Sequence, residues 1–105
     1  MEQFRVYQNK GAGKHAYPYF INIQHPVANT LRHVLVVPVV DSRLLPAKPL
    51  SAKICPVVEI AGRAYVAMTP MMAGVPTKEV GGEVADFTHY RQPLRDAVDF
   101  LLNGY

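Results

Sequence analysis

The fold is decided by one apolar stretch near the middle of the chain, HVLVVPVV at residues 33–40. Apolar residues occupy both faces of this stretch, which is typical of a strand that is buried on two sides. We therefore predict a buried central strand here. Because Pro38 has no backbone N–H to donate to a neighbouring strand, a bulge or an unpaired edge is expected at that residue.

A hairpin is predicted on the N-terminal side of the central strand. Residues 3–7 alternate in polarity, with Phe4 and Val6 on one face. A glycine-rich loop at residues 9–14 then leads to a second strand at residues 17–24. The N-terminal quarter of the chain is thus expected to pair with itself and to carry a mobile loop tip.

Two more strands are predicted on the C-terminal side, at residues 54–60 and 64–68, joined by a tight turn at residues 61–63. Residues 41–53 contain two of the nine prolines and are predicted to be a loop. Residues 70–76 are rich in Met and Gly and are expected to be irregular, with one helical turn.

The C-terminal segment carries a strong helical pattern. Its apolar residues recur at helical spacing and form one stripe: Leu94, Ala97, Val98, Leu101 and Leu102. Pro93 is predicted at the first helical position and Gly104 just past the helix end. Strands followed by one closing helix predict a mainly β (α+β) fold in a single domain, residues 1–105.

Charge and composition exclude several classes of function. The formal net charge is +3, but no basic run is interleaved with aromatic residues, so direct specific binding to nucleic acid is not expected. The chain has neither a secretory signal pattern nor an apolar run long enough for a membrane span. Cys55, the one cysteine, is predicted to be a buried, reduced thiol in a cytoplasmic protein.

No catalytic, cofactor or metal site is predicted from motifs. The sequence lacks a phosphate-binding loop, a dinucleotide fingerprint, a nucleophile elbow and paired cysteines, and its four histidines have no ligand spacing. One enzymatic alternative stays open, a metal-free ribonuclease. Its general base, acid and phosphate-binding cation would come from His25, Arg32, His33 and Asp41.

Several segments follow one another in an order and spacing that carry a resemblance. They are Gln3-Phe4-Arg5-Val6-Tyr7, Phe20-Ile21-Asn22-Ile23-Gln24, Val36-Val37-Pro38-Val39, Arg43-Leu44-Leu45, Cys55-Pro56-Val57-Val58-Glu59-Ile60, Met68-Thr69 through Met72-Ala73 to Val75-Pro76, and Glu83-Val84-Ala85-Asp86. Taken together, from residue 3 to the end, these segments resemble the CcdB family of toxins.

The resemblance implies a small SH3-like barrel with an added sheet and the C-terminal helix, paired as a homodimer. It implies a toxin that is not an enzyme, that binds the A subunit of DNA gyrase and that traps the cleaved gyrase–DNA complex. A CcdA-like antitoxin would neutralise it, and only the toxin–antitoxin complex would bind operator DNA. A ribonuclease toxin of the related Kid and MazF type, or a non-toxic relic that binds antitoxin, remain alternatives.

The resemblance also implies two sets of contact residues. In the family the gyrase contact centres on a final Trp-Gly-Ile, which corresponds here to Asn103, Gly104 and Tyr105, so only the glycine is kept. Phe100, which lies off the helical stripe, is a further candidate for this contact. The candidate antitoxin contacts lie in two loops and are Gln8, Asn9, Lys10, Lys14 and Arg43.

Overall fold

The computed structural model describes residues 1–25, 32–45 and 51–104. The elements found in these residues are β1 Arg5–Asn9, β2 Tyr19–Asn22, β3 His33–Asp41, β4 Val57–Ile60, β5 Arg63–Ala67, β6 Ala73–Pro76, β7 Val80–Asp86 and α1 Arg91–Asn103. The strands form one curled antiparallel sheet, a half-barrel, in the order β4-β5-β3-β2-β1-β7, with β6 also paired to β3. The predicted mainly β fold with one C-terminal helix is confirmed.

The strand β3 is central, as the sequence predicts. One of its edges pairs with β2 in a continuous register from Tyr19↔Val39 to Asn22↔Val36. The other edge is shared, because β6 pairs with the first half of β3 and β5 with its last three residues. The pairings outward from β3 then continue through its partners, from β2 to β1 to β7 on one side and from β5 to β4 on the other.

Pro38 lies where the second edge of β3 changes partner. Pairing with β6 ends at Val36, and pairing with β5 begins at Val39. The carbonyl of Pro38 accepts a hydrogen bond from the Met68 N–H at 2.9 Å. On this edge Pro38 lies in neither strand register and its nitrogen has no hydrogen to donate, so the pairing is interrupted there, while the register with β2 runs past it without a bulge.

Alternate residues of β3 enter different hydrophobic clusters. Val37 and Val39 belong to the main core, which also contains Leu94 of α1. We call this side of the sheet the helix face and the opposite side the outer face. The β3 residues on the outer face fill two smaller clusters and are Val34, Val36 and Val40.

Two strands were not predicted. The segment expected to be irregular contains the 3-10 turn Thr69–Met71, which matches the expected helical turn, but it continues into β6. The strand β7 includes Gly81 and Gly82, which lack the side chains that make a strand recognisable. Both strands are fixed by pairing, β6 with β3 and β7 with β1.

The helix α1 begins at Arg91, so Pro93 is its third residue and not its first. A proline fits there because the N–H groups of the first helical turn have no intrahelical partner. Gly104 ends the helix in the left-handed conformation, with φ 79°, and its N–H donates to the Phe100 carbonyl at 2.8 Å. The predicted glycine cap is confirmed.

The apolar stripe of α1 is buried along only part of its length. Leu94 is 1% exposed and Ala97 is fully buried, while Val98 and Leu101 are half-buried. Leu102, predicted as part of the buried stripe, is 66% exposed. Because a helix turns about 100° per residue, Leu102 lies roughly 80° from Leu94, at the rim of the stripe.

The strand β3 ends in a carboxylate that two arginines share. The Asp41 Oδ1 atom accepts the Arg43 N–H at 3.0 Å and so caps the 3-10 turn Ser42–Leu44. The Asp41 Oδ2 atom contacts Arg43 Nη2 at 2.9 Å and Arg63 Nη1 at 3.5 Å. Hydrogen bonds from the Arg43 side chain, and next from its backbone, lower the pKa of Asp41 from 3.8 to about 2.

Replacing Leu94 by Ala should lower the free energy of unfolding by about 2–5 kcal/mol, because it removes a buried side chain and leaves a cavity under α1. The matched control is Leu102→Ala, in the same helix and the same apolar stripe, which should change stability by no more than about 0.5 kcal/mol since the side chain is exposed. Urea unfolding of both variants measures the difference. Equal losses would contradict the burial pattern of α1.

Replacing Asp41 by Asn should lower the melting temperature at neutral pH and have progressively less effect in acid. Asn keeps the oxygen that caps the turn but lacks the charge that the arginines stabilise. A carboxyl whose folded pKa is depressed contributes stability above its unfolded pKa, here 3.8, and loses it as the pH falls through about 2. Thermal melts followed by circular dichroism between pH 2 and 7 test this. A difference that stays constant over that range would contradict it.

Candidate functional site

The register of the sheet gathers polar side chains at one end of the helix face. Gln8 lies opposite Tyr19, which lies opposite Val39, and two residues further along β3 Asp41 lies opposite Tyr65. Directly opposed residues of an antiparallel sheet point to the same face, and side chains alternate along a strand. All five residues therefore share the helix face. The Tyr19 and Tyr65 rings meet edge to face, with centroids 5.5 Å apart.

Two arginines complete this group. Arg43 binds Asp41 at two points, with Nε 3.2 Å from Oδ1 and Nη2 2.9 Å from Oδ2. The side chain of Asp41 is 11% exposed, whereas those of Arg43 and Arg63 are 68% and 54% exposed. We define the polar end cluster by its members, which are Gln8, Tyr19, Asp41, Arg43, Arg63 and Tyr65. Two arginines and one aspartate give it a net positive charge.

Asn9 holds the loop between β1 and β2. Its side chain is buried, its Nδ2 donates to the Tyr17 carbonyl at 2.7 Å, and its Oδ1 accepts the Gly11 N–H at 2.7 Å. Both ends of the amide are thus used inside the loop, which gives Asn9 a structural role. The antitoxin contact that the resemblance implies for this residue stays a prediction.

Gln8 and Lys10 lie together over β7. A Cβ atom placed on Gly81 would lie 3.0 Å from the Gln8 Cβ and 3.0 Å from the Lys10 Cδ, so the glycine makes room for both side chains. The Lys10 N–H also donates to the Glu79 carbonyl at 2.8 Å. Lys14 is exposed on the same loop. Of the predicted antitoxin contacts, the structure therefore brings Gln8 close to Lys10 and places Gln8 at the same end of the sheet as Arg43.

The end of α1 forms a second candidate surface. Asn103 and Gly104 are exposed, next to the exposed Leu102, while Tyr105 lies outside the described residues. A groove of about 620 Å³ separates α1 from the segment that precedes β4. Its lining residues are Ala52, Lys53, Pro93, Asp96, Asp99, Phe100 and Gly104. Two of the predicted gyrase contacts, Phe100 and Gly104, therefore line one groove.

Phe100 is half-buried in this groove and interacts with a cation of its own chain. The Lys53 Nζ atom lies 5.8 Å from the centroid of the Phe100 ring, within the range of a cation–π contact. Asp96 and Asp99 lie on the same groove and carry the opposite charge. The groove thus presents one aromatic side chain and charges of both signs.

Asp41 lies far from His33, another of the residues considered for a ribonuclease. His33 begins β3 and Asp41 ends it, and eight residues of extended strand separate them by about 26 Å. Within residues 1–25, 32–45 and 51–104, no three His, Cys, Asp or Glu side chains are close enough to hold a metal ion. Cys55 is buried, as predicted, and its burial raises the pKa of the thiol, which makes it a poor nucleophile.

Sequence reasoning missed Arg63 and Leu102 as residues of these surfaces. The contact between Arg63 and Asp41 depends on the pairing of β3 with β5, which the sequence pattern does not specify. The exposure of Leu102 was detectable in principle, since its helical angle places it at the rim of the stripe.

In the part of the chain that the structure covers, no helix is long and apolar enough to cross a membrane.

Two solved structures share this fold. The Mycobacterium tuberculosis toxin MazF-mt6 superposes with a TM-score of 0.71 at 13% identity, covering 94% of this chain and 96% of that chain. An endoribonuclease from a mycobacterial species, in complex with its cognate antitoxin, superposes with a TM-score of 0.72 at 14% identity. This match covers 97% of this chain and 94% of that chain. At these identities the likeness establishes the fold alone.

The chain also matches a protein family described as CcdB protein, over residues 3–104. The match includes all the strands described above, the whole of α1 and the Gly104 cap. It agrees with the resemblance seen in the order and spacing of the sequence segments. The chain therefore belongs to the CcdB family, whose members are toxins of toxin–antitoxin systems.

Proposed function

We propose that this protein is a homodimeric toxin that binds the A subunit of DNA gyrase and traps the cleaved gyrase–DNA complex. Family membership over residues 3–104 carries the proposal. A ligand that binds only the open, cleaved state of an enzyme holds the population in that state, so no catalysis by the toxin is needed. A two-fold dimer also offers the same surface twice to a two-fold target.

The end of α1 supports this role because it offers a defined and exposed contact. The Gly104 cap fixes where the helix stops, and Leu102 presents an exposed apolar side chain next to Asn103. Asn103 stands where the resemblance places a tryptophan in the family. Without that tryptophan, each tail lacks a cation–π contact worth about 0.5–2 kcal/mol of binding free energy. We propose that Leu102, Asn103, Gly104 and Tyr105, with Phe100 beside them, form the gyrase contact.

We propose that an antitoxin neutralises the toxin by binding its positively charged surface through acidic side chains. The polar end cluster is net positive, and Lys10 and Lys14 add exposed positive charges on the neighbouring loop. An acidic segment of a CcdA-like antitoxin fits this surface, since complementary potentials favour association and exclude wrong partners. We propose that Gln8, Lys10, Lys14 and Arg43 contact it.

A ribonuclease is the second candidate, because the fold is shared with a MazF toxin and an endoribonuclease. The separation of His33 from Asp41 by the full length of β3 counts against the catalytic set suggested by the sequence. General acid and base groups must lie within hydrogen-bond reach of the same substrate. The gyrase proposal is therefore preferred.

Incubating the purified protein with gyrase, supercoiled plasmid and ATP, and then adding detergent and protease, should release linear DNA. Cleaved DNA accumulates because the toxin holds gyrase in the cleaved state. A parallel incubation with cellular mRNA should leave the RNA intact. If gyrases from several hosts yield no linear DNA, the gyrase proposal fails, and sequence-specific RNA cuts would establish the ribonuclease instead.

Light scattering tests the proposed homodimer and should give twice the 11.7 kDa mass of one chain.

Deleting Gly104 and Tyr105 should abolish the linear DNA while leaving the fold intact. The deletion removes one cap hydrogen bond, from the Gly104 N–H to the Phe100 carbonyl, which is worth about 1 kcal/mol. The matched control is Gln92→Ala, an exposed substitution at the other end of α1 that should still trap gyrase. Plasmid linearisation and thermal melts are measured on both. A collapse of the melting temperature in the truncated protein would show that the tail is structural.

A further inference from the structure

We infer that Arg63 and Arg43 form a carboxylate-binding pair that receives an acidic side chain of the antitoxin. The inference rests on the proposed toxin–antitoxin function and deepens it. Arg63, the first residue of β5, thereby joins a surface otherwise assigned to the first hairpin loop and the end of β3.

The two guanidinium groups are neighbours because both contact one oxygen. Arg43 Nη2 and Arg63 Nη1 approach the same Oδ2 atom of Asp41, at 2.9 and 3.5 Å. The register pairs Asp41 with Tyr65, and Arg63 lies two residues before Tyr65 in β5, on the same face. Two arginines that are twenty positions apart in the chain thus meet at the end of the helix face.

The exposure of the three side chains gives the pair an open side. Asp41 is nearly buried, while more than half of each arginine side chain is exposed. A guanidinium has five N–H donors, and Arg43 uses two of its donor nitrogens, Nε and Nη2, on Asp41, whereas Arg63 uses Nη1. Donors therefore remain on the solvent side of both arginines, where a second carboxylate can be bound in the two-point geometry that guanidinium groups favour.

The charge and surroundings of the pair favour an acidic peptide over a nucleic acid. Asp41 cancels one of the two positive charges, which leaves the pair suited to a single carboxylate, whereas binding to a phosphate backbone depends on many simultaneous contacts. Leu44, next to Arg43 in the chain, is strongly exposed and offers an apolar contact beside the carboxylate site. Gln8 and the edge of Tyr19 continue the same face and provide polar contacts for a peptide.

The test uses a fluorescein-labelled ten-residue peptide of alternating glutamate and alanine, and the same peptide with glutamine in place of glutamate. Fluorescence anisotropy at low salt measures the affinity of the full-length protein. The variants are Arg63→Gln, Arg43→Gln, the double variant, and Arg63→Lys, which keeps the charge but loses the planar fork. Arg32→Gln is the matched control, because it removes the same charge beyond the opposite end of β3.

Each single glutamine variant should weaken binding of the glutamate peptide by about tenfold, the size expected for hydrogen bonds to a charged group. Arg63→Lys should lie between Arg63→Gln and the unchanged protein, and Arg32→Gln should stay within about twofold of it. The double variant should lose less than the product of the single losses, because both arginines hold one carboxylate. The glutamine peptide should not distinguish the variants.

Two results would contradict the proposed carboxylate-binding pair. One is an equal loss of affinity for the glutamate peptide in Arg63→Gln and Arg32→Gln, and the other is a loss in the double variant that equals the product of the two single losses. Thermal melts should show that every variant is folded, since the substituted side chains are exposed. Linear DNA from gyrase is measured on the same proteins, and Arg63→Gln should trap gyrase as well as the unchanged protein does. A protein that binds the glutamate peptide through Arg63 yet never traps gyrase would refute the gyrase proposal and leave the pair standing.

Discussion

Burial of β3 on both of its faces is the constraint on which the rest of the structure depends. Val36, Val37 and Val39 are almost completely buried, and burying a valine side chain contributes about 1.5–3 kcal/mol. A strand that is apolar on both faces is stable only if each face is covered. The helix α1 covers one face, and the two smaller clusters cover the other. The remaining strands are placed by pairing with β3 or with strands already attached to it.

The same constraint places the polar end cluster. Side chains alternate along a strand, so a shift of one residue in the pairing of β3 would send its core residues to the wrong face. The register that buries Val37 and Val39 therefore also puts Asp41 on the helix face, opposite Tyr65 and within reach of Arg63. The arrangement of the polar end cluster is thus a consequence of core packing. Loops alone do not determine it.

The sequence predicted those elements whose own residues specify them. The central strand, the turn after β4 and the glycine-capped helix are recognisable because apolar periodicity, Gly62 and Gly104 belong to the segments themselves. The strands β6 and β7 escaped prediction because their residues fit a strand weakly and long-range pairing fixes them. The start of α1 was misplaced by two residues, since a proline is tolerated anywhere in the first helical turn.

Among the candidate site residues, too, the sequence identified those that lie in one recognisable segment and missed those that depend on long-range pairing. Gln8, Lys10 and Arg43 were identified through the resemblance, which implies antitoxin contacts in the two loops that contain them. Arg63 was not identified, because its relation to Asp41 exists only once β3 and β5 are paired. A contact between residues distant in sequence is predictable only when the register is known, and sequence periodicity defines faces without defining registers.

The contact between Lys53 and Phe100 limits what Phe100 can contribute to the proposed gyrase contact at the end of α1. A ring that already interacts with a cation of its own chain is a poor receptor for a cation of another protein, because the second cation must displace the first or be repelled by it. Phe100 is also half-buried, so its exposed area is limited. Leu102 has neither restriction, being exposed and adjacent to the capped terminus. The apolar part of the proposed gyrase contact is therefore expected to come from Leu102 and not from position 103, where the resemblance implies an aromatic residue in the family.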